Sequence, residues 1–111
     1  RKTYEKLPEL KGRRLHVVTR SKDIFPLGDW PYKIIQNIHA VPQDAIICGG
    51  AEIYKQYLPF LSEFFLSEIS IEVEGDTYLP AIYPYFRKWE VIEFGDATET
   101  DPAYRIFRYF N

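Results

Sequence analysis

The apolar positions of this chain change period along its length. Leu15-His16-Val17-Val18-Thr19 is a β-rich run, and Ala45-Ile46-Ile47-Cys48 is continuously apolar, the pattern of a strand covered on both faces. After Gly49-Gly50 the period becomes helical. Ile53, Tyr54, Tyr57, Leu58 and Leu61 make one apolar stripe. Tyr32 to Ile38 reads as a short helix with Ile34, Ile35 and Ile38 on one side. Thr3 to Leu7 reads as one or two helical turns stopped by Pro8, and Pro26, Gly28 and Pro31 mark a loop around Trp30. Strands and helices thus alternate through the first half, as in a parallel α/β sheet.

The second half has a different rhythm. Ser67 to Glu74 alternates, with Ser67, Ile69, Ile71 and Val73 on one face and Glu68, Ser70, Glu72 and Glu74 on the other. Lys88 to Phe94 and Tyr104 to Phe110 predict an antiparallel pair, joined by a longish loop from Gly95 to Pro102. The expected fold is α/β, a single domain over residues 1–111 with a mixed, mostly parallel sheet, an antiparallel C-terminal hairpin and flanking helices.

Composition narrows the class. At 46% hydrophobic and 17% aromatic, the 111 residues describe a globular chain rich in large rings. A net charge of −2 gives no electrostatic case for nucleic acid or an anionic membrane, and no apolar run approaches the length of a membrane span. A single cysteine makes no internal disulfide, which favours a reducing, cytoplasmic setting. Cys48 reads as a small buried hydrophobe, and His16 and His39 lack metal-ligand spacing. The chain opens on Arg1-Lys2-Thr3 and holds no methionine, which fits a trimmed or incompletely represented polypeptide.

Two positions carry candidate chemistry. Gly49 and Gly50 form either a tight packing turn or a gap where a ligand meets bare backbone, with the following helix offering free N–H groups to a phosphate. Ser67 places a hydroxyl on the apolar face of its strand. It either bonds a neighbouring carbonyl or faces a ligand cavity.

Several segments, in order, resemble dihydrofolate reductase. They are Arg1-Lys2-Thr3-Tyr4-Glu5, Gly12-Arg13-Arg14 before a strand ending Val18-Thr19-Arg20, and Cys48-Gly49-Gly50-Ala51-Glu52-Ile53-Tyr54. Glu74-Gly75-Asp76-Thr77-Tyr78-Leu79-Pro80 with Trp89-Glu90, and the closing Tyr104-Arg105-Ile106-Phe107, complete the set. The resemblance implies NADPH as cofactor and dihydrofolate as substrate. Arg1, Lys2 and Thr3 would grip the cofactor phosphates, and Thr19, Arg20 and Ser21 the 2′-phosphate, favouring NADP over NAD. Gly49 and Gly50 match a pair that the family joins by a cis peptide. Ala51, Glu52 and Ile53 would follow the pyrophosphate, with Tyr54 near the nicotinamide.

On the substrate side, Arg13 would pair with the carboxylate of the folate glutamate tail, while a surface arginine in a basic turn stays open as its alternative. Leu7 and Leu10 would line the slot for the aminobenzoyl ring, Cys48 would put its backbone near the pterin, and Ser67 would bond the catalytic carboxylate and the pterin. Asp76 would support a mobile loop. The family's catalytic carboxylate belongs to a segment before Arg1, and no carboxylate here fits its slot. The chain is therefore expected to be inactive alone, and to be longer in nature or complemented by an N-terminal segment. A related pyrimidine reductase of riboflavin synthesis and a non-catalytic NADP-binding fragment are the alternatives.

Overall fold

Leu15-His16-Val17-Val18 forms the first strand, β1 (Leu15–Val18), in a computed structural model that describes residues 2–21 and 32–111. The chain divides into two compact units, Arg1–Tyr57 and Leu58–Asn111.

In the first unit, β1 pairs in parallel with β2 (Tyr32–Ile35), placing Val17 opposite Ile34 and Val18 opposite Ile35. Val17 and Ile35 are 3% and 4% exposed and make the buried centre of this pair. Thr19 N–H donates to the Ile35 carbonyl at 3.1 Å and carries the pairing one step past β1. A 3₁₀ turn over Tyr4–Lys6 stands where helical turns were expected, closed by Leu7 N–H on the Tyr4 carbonyl at 3.1 Å. The loop around Trp30 lies outside the described residues.

Two expectations for this unit are corrected. The helix read over Tyr32 to Ile38 is instead β2 followed by a 3₁₀ turn at Ile38–Ala40, whose Asn37 side chain accepts from His39 N–H at 2.9 Å. Ile34 and Ile35 satisfy both periods in so short a window. Their branched side chains settle into the extended form once β1 supplies a ladder. The strand read at Ala45–Cys48 joins no ladder among the described residues. Ile46 is 77% exposed and Cys48 is exposed rather than buried. Apolar character alone supplies neither a neighbouring strand nor a covering helix, and among the described residues the parallel pairing is between β1 and β2.

Helix α1 (Ala51–Tyr57) follows the glycines, its first bond running from Tyr54 N–H to the Gly50 carbonyl at 2.9 Å. The apolar stripe holds in part. Tyr57 is 7% exposed, while Ile53 and Tyr54 are half-buried. Pro59 has no N–H to continue an α-helix, and the stripe passes at Leu58–Phe60 into a 3₁₀ turn that opens the second unit.

The second unit is a three-stranded antiparallel sheet in the order β3-β5-β4, with β3 at Glu63–Ile69, β4 at Lys88–Gly95 and β5 at Tyr104–Phe110. The C-terminal pair matches the reading from alternation. A bulge at Ile92 lets Val91 and Glu93 face consecutive residues of β5, Phe107 and Ile106. Thr98 closes the intervening loop: its N–H donates to the Asp101 carbonyl at 2.8 Å, and its hydroxyl accepts from Asp101 N–H at 2.9 Å. Asn111 ties the chain end to Tyr85 and Arg87.

The third strand is a correction. Alternation placed it at Ser67 to Glu74, yet the ladder covers Glu63–Ile69, and Ile71 and Val73 are 57% and 76% exposed. Buried Phe64 and Phe107 and half-buried Leu66 and Tyr109 share the covered face, with Ile82 and Phe86 also buried. Ring pairs Phe64–Phe86 and Phe86–Tyr109 lie 6.4 and 6.3 Å apart, close enough to interact edge to face. That aromatic anchor at Phe64 and Phe86 sets the register, and it outweighs an alternation whose apolar face has nothing to pack on. Ser67 consequently faces solvent opposite Ile106. In place of one mixed, mostly parallel sheet, the described residues form two separate sheets, with one parallel pairing in the first unit and two antiparallel pairings in the second.

On the opposite face Arg108 of β5 bonds Glu63 of β3 and Glu90 of β4, and its guanidinium lies 4.2 Å from the Phe110 ring centre. Gly95 faces Tyr104 across the pair, and a Cβ there would overlap the Tyr104 ring. Gly95→Ala should therefore lower the stability of this unit by about 1–3 kcal/mol, the usual cost of overpacking. Denaturant unfolding checks this, and an unchanged midpoint would show that the ring is not held over Gly95.

Candidate active site

The first unit holds a cavity of about 580 Å³. The turn at Leu10–Arg14, the strand β1 and the segment Val41–Gly49 contribute most of its wall. Of the residues read from sequence, Thr3, Leu7, Leu10, Arg13, Cys48, Gly49 and Ile53 line it. The turn that brings Leu10 and Arg13 to the cavity is closed by Arg13 N–H on the Leu10 carbonyl at 3.3 Å, and Gly12 takes φ +71°, a left-handed conformation suited to glycine.

Next to this wall the chain bends sharply at Gly49-Gly50. Their peptide bond is cis, as the resemblance implies, and Gly49 takes φ +109°. Space is as restrictive as conformation. A Cβ on Gly49 would stand 3.2 Å from the Tyr54 hydroxyl, and one on Gly50 would stand 3.1 Å from the Thr3 hydroxyl. The junction therefore shows bare backbone bracketed by two hydroxyl groups, with Lys2 exposed next in sequence to Thr3.

Other expected site residues sit elsewhere. Thr19, Arg20 and Ser21 follow β1 directly. The Thr19 hydroxyl accepts from Ser21 N–H at 3.1 Å, leaving Arg20 exposed at the bend. Glu52 is exposed on the first turn of α1, and Ala51 is half-buried there. Ser67 and Asp76 belong to the second unit, both exposed. Arg1 lies outside the described residues.

The cavity also uses residues that sequence reasoning left aside. Tyr57 lines it and donates from its hydroxyl to the Ile38 carbonyl at 2.7 Å, tying α1 to the turn after β2. Its place in the helical stripe was visible. Its distant carbonyl partner was not, because Tyr32 to Ile38 was read as a helix. Among the described residues, Asp44 is the one carboxylate lining the cavity, and it is exposed. Among the described residues no group of three or more His, Cys, Asp or Glu could hold a metal ion, and no helix is long and apolar enough to cross a membrane.

Residues 1–110 match the family model for dihydrofolate reductase. The chain belongs to the dihydrofolate reductase family. It is 37% identical over 87 residues to a dihydrofolate reductase of Neisseria meningitidis serogroup A, covering 74% of this chain and 54% of that protein. It is 33% identical over 117 residues to the type 1 dihydrofolate reductase of Escherichia coli, covering 97% of this chain and 71% of that protein. A dihydrofolate reductase of Haemophilus influenzae is 29% identical over 109 residues, 95% of this chain and 66% of its own length. The chain thus spans about half the length of the Neisseria relative. Membership of the dihydrofolate reductase family makes a nicotinamide cofactor the group to test against the site. The bare backbone at Gly49-Gly50, which a Cβ would crowd, and the hydroxyl of Thr3 fit a flat ring and its phosphates.

Burial raises the tyrosine pKa at Tyr57, and at Tyr54 burial acts first and the neighbouring Cys48 second. A raised value favours the neutral phenol in the folded chain. Its stabilising effect is complete below pH 10.0, the ordinary tyrosine value, and is lost as pH rises through the raised values. The first unit should accordingly unfold more easily above pH 10.0, followed by far-UV circular dichroism. Tyr57→Phe should cost about 1 kcal/mol at neutral pH through the lost hydrogen bond and should flatten the alkaline decline. A variant as stable as the parent at neutral pH, with the same alkaline slope, would contradict both assignments.

Proposed function

We propose that this chain supplies the cofactor-binding and substrate-tail-binding parts of an NADPH-dependent dihydrofolate reductase, which reduces 7,8-dihydrofolate to 5,6,7,8-tetrahydrofolate in one-carbon metabolism. The observation that carries the reading is the Gly49-Gly50 junction: a left-handed glycine and its neighbour, each crowded where a side chain would stand, beside a 580 Å³ cavity in a chain of this family. NADPH, when bound, supplies the hydride and NADP⁺ is left. Gly49 and Gly50 would hold the nicotinamide ring through bare backbone, and Tyr54, which crowds a Cβ on Gly49, would help to shape that seat. Thr3 and Lys2 offer a hydroxyl and a cation to the cofactor phosphates, and Arg1 would add a second cation. Arg20, exposed between Thr19 and Ser21, suits a 2′-phosphate and so favours NADPH over NADH. On the substrate side Leu7 and Leu10 present an apolar wall to the aminobenzoyl ring, and Arg13 a guanidinium to the tail carboxylate.

Binding without turnover is a second reading, favoured by one observation: among the described residues the sole carboxylate lining the cavity is the exposed Asp44. Proton delivery to a bound pterin calls for a positioned acid. If Asp44 is that acid, Asp44→Asn abolishes NADPH oxidation with dihydrofolate while NADPH binding persists. Unchanged turnover assigns the proton to another source, and absence of turnover in the parent chain with retained binding supports the second reading.

The cofactor assignment is tested by titrating the chain with NADPH and with NADH, followed by nucleotide fluorescence. NADPH should bind about tenfold or more tightly than NADH, and Arg20→Leu should remove that difference, since a charged hydrogen bond to phosphate is worth about 1.5–3 kcal/mol. Equal affinity of the parent for the two nucleotides would refute the role of Arg20.

A further inference from the structure

The cavity wall that ends in Gly49-Gly50 has no ladder to keep it in place. Ala45–Cys48 joins no strand pairing among the described residues, and Ile46 is 77% exposed. Ala45 N–H donates to the Pro42 carbonyl at 3.1 Å, a bond that shapes the wall locally without tying it to another element. A wall of this kind keeps its position through whatever holds its two ends.

Both ends are held by α1. At the downstream end Tyr54 N–H donates to the Gly50 carbonyl at 2.9 Å, so the glycine bend and the helix move together. At the upstream end the Tyr57 hydroxyl donates to the Ile38 carbonyl at 2.7 Å, in the 3₁₀ turn that leads into the wall. These two residues are 19 apart in sequence. Their bond closes the stretch between them into a loop that contains Val41–Gly49, the glycine bend and α1.

The helix depends on that closure. At seven residues α1 has little stability of its own, and its placement comes from tertiary contacts. Tyr57 is its last residue and Tyr54 lies three positions earlier, a neighbour on the helix surface. The Tyr54 hydroxyl in turn stands 3.2 Å from where a Cβ on Gly49 would be. A shift of α1 at Tyr57 therefore moves the ring that stands beside Gly49. Burial alone does not account for the hydroxyl, since at 7% exposure a phenylalanine would fill the same space.

We propose that Tyr57 is a positioning residue for the nicotinamide end of the cofactor. Its hydroxyl, bonded to Ile38, holds the wall and α1 in the arrangement that presents Gly49-Gly50 to the ring. The proposal rests on the reading above, in which the nicotinamide meets those glycines and Arg20 meets the 2′-phosphate. With the bond in place the seat is ordered before the ligand arrives. Without it, the ordering falls on the binding step and affinity drops. The adenosine end is independent of this closure, because Arg20 follows β1, and the β1–β2 ladder lies outside the Ile38–Tyr57 loop.

The test is calorimetric titration of the full chain with NADPH and with adenosine 2′,5′-bisphosphate, which lacks the nicotinamide. Tyr57→Phe should weaken NADPH about three- to tenfold, the size expected of one neutral hydrogen bond. It should leave the bisphosphate within about twofold of the parent, as for a site remote from the change. Replacement of Tyr57 by para-aminophenylalanine keeps a donor on the ring and should return NADPH to within about twofold of the parent. Parent-like NADPH affinity in Tyr57→Phe overturns the proposal and leaves the cofactor reading standing. Equal weakening of both ligands also overturns it, since a general loosening of the fold moves both. So does failure of the amino ring to restore binding while circular dichroism shows the chain folded. A parent chain that binds neither ligand overturns the cofactor reading and the proposal with it.

Discussion

Close approach at Gly49-Gly50 is the constraint on which the first unit depends. A side chain at Gly49 would press on Tyr54 and require a residue at φ +109°, and one at Gly50 would have to displace the Thr3 hydroxyl. Because Tyr54 and Thr3 come from different parts of the chain, the two glycines let α1 and the N-terminal turn converge on one bend of backbone. Tyr57 adds the second tie, from the far end of α1 to the Ile38 carbonyl. The bend beside the cavity is thus fixed by backbone geometry and two tyrosines, while Arg13, Arg14 and Asp44 bring charge to the cavity's lining.

The second unit is held differently. Its central strand β5 bonds both neighbours, and Phe107 and Tyr109 bring together rings from β4 and from the segment before it, with Trp89–Phe107 at 5.7 Å and Phe86–Tyr109 at 6.3 Å. Arg108 spans the other face to Glu63 and Glu90. Exposed ion pairs of this kind contribute little each, so the ring cluster carries most of the stabilisation, and the ion pairs add register. The same division explains why Phe64 is buried while Phe65, its neighbour in sequence, is 58% exposed.

How much of this was legible follows from which signals are local. The glycine pair, the helix after it and the C-terminal hairpin were visible because glycine freedom, helical spacing and strict alternation each need only a few adjacent residues. Tyr32 to Ile38 misled because Ile34 and Ile35 fit both periods over so short a stretch, and the deciding partner, β1, lies a long way back in the chain. Ser67 to Glu74 misled because alternation reports only that two faces differ. It does not say which residues find aromatic neighbours, and Phe64 and Leu66 found them first. The burial expected of Ala45–Cys48 failed because apolar character states what a segment would lose in water, whereas burial requires elements packed over its faces.

Site residues divide along the same line. Those whose role depends on backbone, Gly12, Gly49 and Gly50, follow from conformational demands that only glycine meets at Gly12 and Gly49 and that steric closeness reinforces at Gly50. Residues whose role depends on charge, such as Lys2, Arg13 and Arg20, keep their chemistry wherever they are placed, and their sequence neighbours constrain them weakly. Arg13 is therefore ambiguous between a tail contact and a surface arginine, because an exposed guanidinium carries the same charge in either setting.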